Sequence, residues 1–82
     1  MKLFVGNIAF SASEEEIEEL FGRYGEVRRV NLVLDRETRK SRGFAFVEMA
    51  TPDEGESAMK ELNGFVVHGR ALTVGAAKSR TP

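Results

Sequence analysis

The rhythm of apolar and polar positions changes several times along the chain, and each change marks an element. Residues Lys2 to Ile8 alternate, with Leu3 and Val5 on one side and Lys2, Phe4 and Gly6 on the other. The run is bounded by a Gly-Asn pair, which reads as a strand. Ser13-Glu14-Glu15-Glu16 has the Ser-x-x-Glu form of a capping box, which satisfies free amide hydrogens at a helix start. Ile17, Leu20, Phe21 and Tyr24 follow at i, i+3, i+4 and i+7, a single helical stripe, and Gly25 stands just past it, where a left-handed cap would end the helix. Val27 to Leu34 reads as a second strand, with Val30, Leu32 and Leu34 on one face and Arg29, Asn31 and Val33 on the other. Asp35 to Arg42 is polar and without period, hence a loop, and Gly43 to Met49 is a third strand.

Thr51-Pro52-Asp53-Glu54 repeats the capping logic, with Pro52 at the first helical position, where its missing N–H costs nothing. Gly55, Ala58, Met59 and Leu62 form the inward stripe of this helix, and the two smallest predict a close approach to a sheet. Asn63-Gly64 ends it. Phe65 to Arg70 reads as a short hairpin with Gly69 in its turn, and Ala71 to Gly75 as the last strand, with Leu72 and Val74 inward. The order β-α-β-β-α-β predicts an α+β class, ferredoxin-like sandwich: a four-stranded antiparallel sheet with two helices on one face and the other face open. The expected domain spans residues 1–76, with a short polar tail over 77–82.

Periodicity alone does not choose the inner face of this sheet, because both sides of the first and third strands are partly apolar. The charges choose it. Glu48 shares a side with Phe44 and Phe46, and Lys2 shares a side with Phe4. Unpaired charges are rarely fully buried, so the phenylalanine side is the solvent side. Three large rings on an open sheet mark a binding surface. Burying them instead as core would require a third layer, which 82 residues can hardly supply.

Composition narrows the function further. The chain has 82 residues, enough for one domain, and its 41% hydrophobic and 30% charged residues are those of a globular protein. The absence of cysteine excludes disulfides, thiolate metal sites and thiol catalysis. No apolar run approaches the roughly 18 residues a membrane span needs, and no signal-peptide pattern is present. His68 is a single histidine in a turn, expected to be exposed and without neighbours, so neither a metal site nor a catalytic pair is expected there. The acids at the start of the first helix suit the helix dipole, and the glycines are scattered rather than gathered in a phosphate loop. The expectation is therefore no catalytic residues, no metal and no cofactor.

The formal net charge of −1 argues at first against a nucleic-acid partner. Its distribution reverses the argument. The helical segments, 13–24 and 52–62, carry nine acids and two bases, a balance of −7, while the remainder carries four acids and ten bases, a balance of +6. The near-neutral total is a cancellation between an acidic helical back and a basic front of sheet and loops.

Two segments then carry a family resemblance. Leu3-Phe4-Val5-Gly6-Asn7-Ile8 resembles the shorter ribonucleoprotein motif of the RNA recognition motif family. Arg42-Gly43-Phe44-Ala45-Phe46-Val47-Glu48-Met49 resembles the longer one in all but its last position, where Met49 replaces an aromatic residue on the inward side. Phe21-Gly22-Arg23-Tyr24-Gly25, Asn63-Gly64 and Gly69-Arg70 also fit, so the resemblance covers nearly the whole chain. The compact form is similar to small bacterial, notably cyanobacterial, RNA-binding proteins. The resemblance implies that Phe4 and Phe46 each stack a base of single-stranded RNA, that Phe44 packs between sugars, and that Arg42 pairs with a phosphate. Arg29, Asn31 and Thr73 are placed to read base edges, and Lys2, Arg70, Lys78 and Arg80 to add backbone contacts. Gly75 departs from the pattern in offering no side chain at an open-face position.

The partner expected is single-stranded RNA, with single-stranded DNA open as a second ligand. No membrane and no small-molecule substrate is expected, and the chain is expected to be a monomer. A cytoplasmic location of bacterial type is implied, or the nucleus in a eukaryote. Two readings compete. One is a protein-interaction module using the same sheet face or the helical face. The other is a hydrolase on the same fold, similar to acylphosphatases, which would need an anion-cradling loop with an Arg after the first strand. Residues Ile8 to Ala12 hold neither an Arg nor a glycine cluster.

Overall fold

A computed structural model describes residues 1–77. Strands β1 (Lys2–Gly6), β2 (Val27–Leu34), β3 (Ser41–Met49) and β6 (Thr73–Ala76) form one sheet in the order β2-β3-β1-β6, and every neighbouring pair is antiparallel. A two-stranded ribbon, β4 (Val66–Val67) with β5 (Arg70–Ala71), stands beside it. Helix α1 (Glu14–Gly22) lies on β2, and α2 (Pro52–Leu62) lies across β6, β3 and β1. This is the ferredoxin-like arrangement expected from the element order.

One continuous core joins the layers. Leu3, Val5, Ala45, Val47 and Met49 from the sheet meet Ile17, Leu20, Phe21, Ala58 and Leu62 from the helices, with Leu72 and Val74 closing the edge. The strand residues are those opposite in phase to the three phenylalanines, so the side that carries Lys2 and Glu48 is the solvent side, as their charges require. On α2, Gly55 packs directly against Met1, the residue ahead of β1. A Cβ there would stand 2.6 Å from Sδ and 2.9 Å from Cβ of Met1, so only a residue without a side chain fits. Met1 is itself pinned, donating from its terminal amine to the Met49 carbonyl at 2.8 Å and accepting from the Met49 amide at 2.8 Å.

Both helix starts are as the sequence requires. Ser13 Oγ accepts from the Glu16 amide at 3.1 Å, while Glu16 Oε1 accepts from the Ser13 amide at 3.0 Å. Thr51 Oγ1 caps α2 by accepting from the Glu54 amide at 3.2 Å. The end of α1 differs from expectation. It is capped by Arg23 in a right-handed conformation, with the Arg23 and Tyr24 amides reaching back to the Leu20 and Phe21 carbonyls, so no left-handed cap at Gly25 is needed. Gly25 is required for a different reason: a Cβ there would lie 2.5 Å from the Glu54 carboxyl group, whose Oε2 accepts from the Glu26 amide at 3.2 Å.

Strand boundaries also shift. β3 begins at Ser41 rather than Gly43, because the Asp35 amide bonds to the Lys40 carbonyl at 2.7 Å and closes the hairpin early. The last strand divides around Leu72 into β5 and β6. A bulge at Arg28 lets Val27 face Met49 while Arg29 faces Glu48. Val27 and Val30 therefore both pack against the core, although their spacing is odd for a strand. A second irregularity, between Leu32 and Leu34, carries Leu34 out to 49% exposure.

Candidate nucleic-acid interface

The face of the sheet away from the helices carries an ordered lattice of side chains. One row runs Gly75, Phe4, Phe46, Asn31 across β6, β1, β3 and β2; the next runs Lys2, Glu48, Arg29 across β1, β3 and β2. Thr73 stands opposite Gly6 beyond the first row and is exposed. Cross-strand partners stand close enough for their side chains to interact, so a ligand laid on this face meets neighbours as a set.

Phe4, Phe44 and Phe46 form a triangle. Their ring centroids lie 6.0 Å apart for Phe4–Phe44, 5.9 Å for Phe4–Phe46 and 6.2 Å for Phe44–Phe46. Phe4 and Phe44 are inclined by only 29°, whereas Phe46 meets Phe44 edge to face at 87°. Mutual contact leaves all three half-buried, with π-surface turned to solvent. Lys2 Nζ lies 5.1 Å from the centroid of Phe46, a cation–π contact across the open face. At an exposed site such a contact is worth about 0.5–1 kcal/mol, a weak hold on the ring.

Beside Phe46 is a hollow of about 100 Å³ walled by Lys2, Arg29, Asn31, Phe46 and Glu48. The side chains of Arg29, Asn31 and Glu48 form no hydrogen bond or ion pair among the described residues, so their polar atoms are free for a ligand. Arg42 is exposed at the start of β3, next to the loop where Asp35 Oδ1 accepts from the Glu37 and Thr38 amides at 2.9 and 3.0 Å. The Thr38 amide bond, then that of Glu37, holds the Asp35 carboxyl below its ordinary value. This loop is thus an organised turn rather than a slack connection.

Of the residues expected to meet RNA, Phe4, Phe44, Phe46, Lys2, Arg29, Asn31 and Thr73 share one face, and Arg42 stands at its end. Lys78 and Arg80 lie outside the described residues. Arg70 is already engaged, donating through Nε and Nη2 to Asn7 Oδ1 at 3.2 and 2.7 Å, while Asn7 Nδ2 donates to the Ala71 carbonyl at 2.7 Å. His68 is not without neighbours. Its Nδ1 is 2.9 Å from Ser11 Oγ and its Nε2 is 2.6 Å from Glu16 Oε2, so it ties the β4–β5 turn to the start of α1. Residues 52 and 57 positions apart meet there, a juxtaposition invisible to local periodicity. Among the described residues no group of three or more His, Cys, Asp or Glu is placed to hold a metal ion, and no helix is long and apolar enough to cross a membrane.

An antiparallel four-stranded sheet backed by two helices, with three rings on its uncovered face, defines a class, and residues 3–73 match the family model of the RNA recognition motif. The chain belongs to the RNA recognition motif family. It is 46% identical over 80 residues to the putative RNA-binding protein RbpD of Nostoc sp., covering 98% of this chain and 85% of that one. It is 44% identical over 80 residues to the mitochondrial glycine-rich RNA-binding protein 3 of Arabidopsis thaliana, covering 98% of this chain but only 26% of that protein. It thus spans about a quarter of the length of the plant relative. Among solved structures, the crystal structure of RNA-binding protein PG1 superposes with a TM-score of 0.93 at 38% identity, over 100% of this chain and 99% of that one.

Proposed function

We propose that this chain binds single-stranded RNA, with Phe4 and Phe46 each stacking a base and Phe44 packing between the sugars of adjacent nucleotides. RNA binding is the function of the family to which it belongs, and both named relatives are RNA-binding proteins by name. The observation that carries the reading is the ring triangle on the uncovered face, with centroids 5.9 to 6.2 Å apart. Bases can reach such rings only when unpaired, which makes single strands the ligand. In this reading Arg42 pairs with a phosphate, Lys2, Arg29, Asn31 and Thr73 meet base edges or backbone, and Lys78 and Arg80 add contacts from the tail over 77–82, beyond a domain over 1–76. The protein acts as a monomer, binds without catalysis, and serves RNA metabolism, regulation after transcription or RNA chaperoning in the cytoplasm.

Two stacks and a sugar contact supply roughly 3–8 kcal/mol before ordering costs, and a micromolar dissociation constant corresponds to about 8 kcal/mol. Polar and phosphate contacts are therefore needed to reach micromolar affinity. Titration of short oligoribonucleotides against the protein and Phe46→Ala, followed residue by residue by NMR, tests the proposal. We expect at least a tenfold loss of affinity with the dispersed spectrum of a folded protein retained. Equal affinity of the two proteins would overturn it.

A further inference from the structure

On a face meant to meet an anionic chain, a carboxylate needs a reason. Glu48 is that carboxylate. It stands two residues beyond Phe46 on the same face of β3, between Lys2 of β1 and Arg29 of β2, its cross-strand partners. Despite that position it forms no ion pair with either among the described residues: the Lys2 ammonium lies over the Phe46 ring instead. Glu48 therefore presents two unsatisfied acceptor oxygens to the hollow beside the ring, while Lys2, Arg29 and the Asn31 amide present donors to the same space.

A base lying on Phe46 would have its edges read by these groups, and their chemistry distinguishes the four bases. A carboxylate prefers two adjacent donors, one for each oxygen. Only guanine presents such a pair, N1–H beside the N2 amino group. In adenine and cytosine the amino group is flanked by a ring-nitrogen lone pair, and in uracil the single N3–H lies between two carbonyls; in each case the second carboxylate oxygen would face an acceptor. Guanine also carries O6 and N7, acceptors that suit Lys, Arg and Asn donors.

We propose that the hollow beside Phe46 is a guanine-selective subsite, in which Glu48 accepts from N1–H and N2–H of the stacked base and Lys2, Arg29 or Asn31 donates to its O6 and N7. This rests on the stacking of a base on Phe46 described above. Glu48 is then the specificity-determining residue: it costs attraction for every phosphate and is compensated only by the base that satisfies it. Glu48 is exposed in the free protein, and a base stacked on Phe46 would cover its carboxylate; an acceptor then left facing another acceptor is penalised, which is the source of discrimination.

The test uses five pentaribonucleotides, uridine at every position except the third, which is guanosine, adenosine, cytidine, uridine or inosine. Affinities are measured by fluorescence anisotropy for the unaltered protein and for Glu48→Gln. We expect the guanosine oligomer to bind about tenfold more tightly than the adenosine, cytidine and uridine ones, the scale of one bidentate base contact. Inosine, which lacks the N2 amino group, should lose most of that advantage in the unaltered protein, so this arm does not depend on any variant. In Glu48→Gln the guanosine-to-uridine ratio should collapse towards one. Equal binding of all five oligomers, a guanosine preference that survives Glu48→Gln, or a variant that tightens all five equally would each overturn the subsite while leaving RNA binding intact. Failure of every oligomer to bind would overturn the stacking reading and this one together.

Discussion

The ring of Phe4 lies across Gly6, two residues further along the same strand. A Cβ at Gly6 would stand 2.8 Å from Cε2 and 3.1 Å from Cζ of that ring, and 3.8 Å from Cβ of Thr73. Gly6 therefore sets where the Phe4 ring rests. Its role is space for a neighbour rather than backbone freedom, since its φ is not positive. Gly6→Ala should push the Phe4 ring off its resting place. Because the obstacle is the outer end of a side chain, the strand should survive. We expect several-fold weaker binding of short RNA, with altered ring-proton shifts for Phe4 and an intact pattern of backbone shifts. Undiminished affinity would show that the position of this ring is not what the ligand uses.

Rings and charges are separable by salt. On a single strand each neutralised phosphate contributes a slope of about 0.7 in log K against log salt concentration. Among the described residues only a few cations border the ring face, so the slope for the unaltered protein should be shallow. Arg42→Ala should reduce it by about 0.7, the value of one phosphate contact. Phe46→Ala should lower affinity at every salt concentration and leave the slope in place. Identical slopes for the Arg42 variant and the unaltered protein would remove Arg42 from the phosphate contacts.

The latch between the β4–β5 turn and α1 has a pH signature. Glu16 is held below its ordinary value of 4.5, chiefly by the hydrogen bond from His68 and then by the Ser13 backbone amide. A carboxyl whose value is depressed in the folded state stabilises the fold above its ordinary value, and that contribution is lost as pH falls through the depressed one. Unfolding midpoints of the unaltered protein and Glu16→Gln should therefore differ near neutrality and converge as the pH drops below 4.5. Asp35, depressed by the Thr38 and Glu37 amides, is present in both proteins and cancels in the comparison. Parallel curves down to the acid limit would deny Glu16 this role.

Much of this protein is local and could be read from the chain alone. Capping signals are complete within four residues, so Ser13 and Glu16, and Thr51 with Pro52, place both helix starts correctly. The alternation of Phe4, Phe44, Phe46 and Glu48 against Leu3, Val5, Ala45 and Val47 fixes which side of the sheet meets water, because charge cannot share the core with the aliphatic side chains. Only the tertiary structure decided how the strands align. The bulge at Arg28 shifts the phase of β2 by one residue, and a shift of one residue exchanges faces, so the placing of Arg29 opposite Glu48 depends on pairing with β3. The same holds for the meeting of His68 with Ser11 and Glu16, and of Arg70 with Asn7, across separations of 52 to 63 residues. Periodicity reports what one element does with its own faces. Which side chains from different elements meet is settled by register and packing, and these exist only once the sheet has closed.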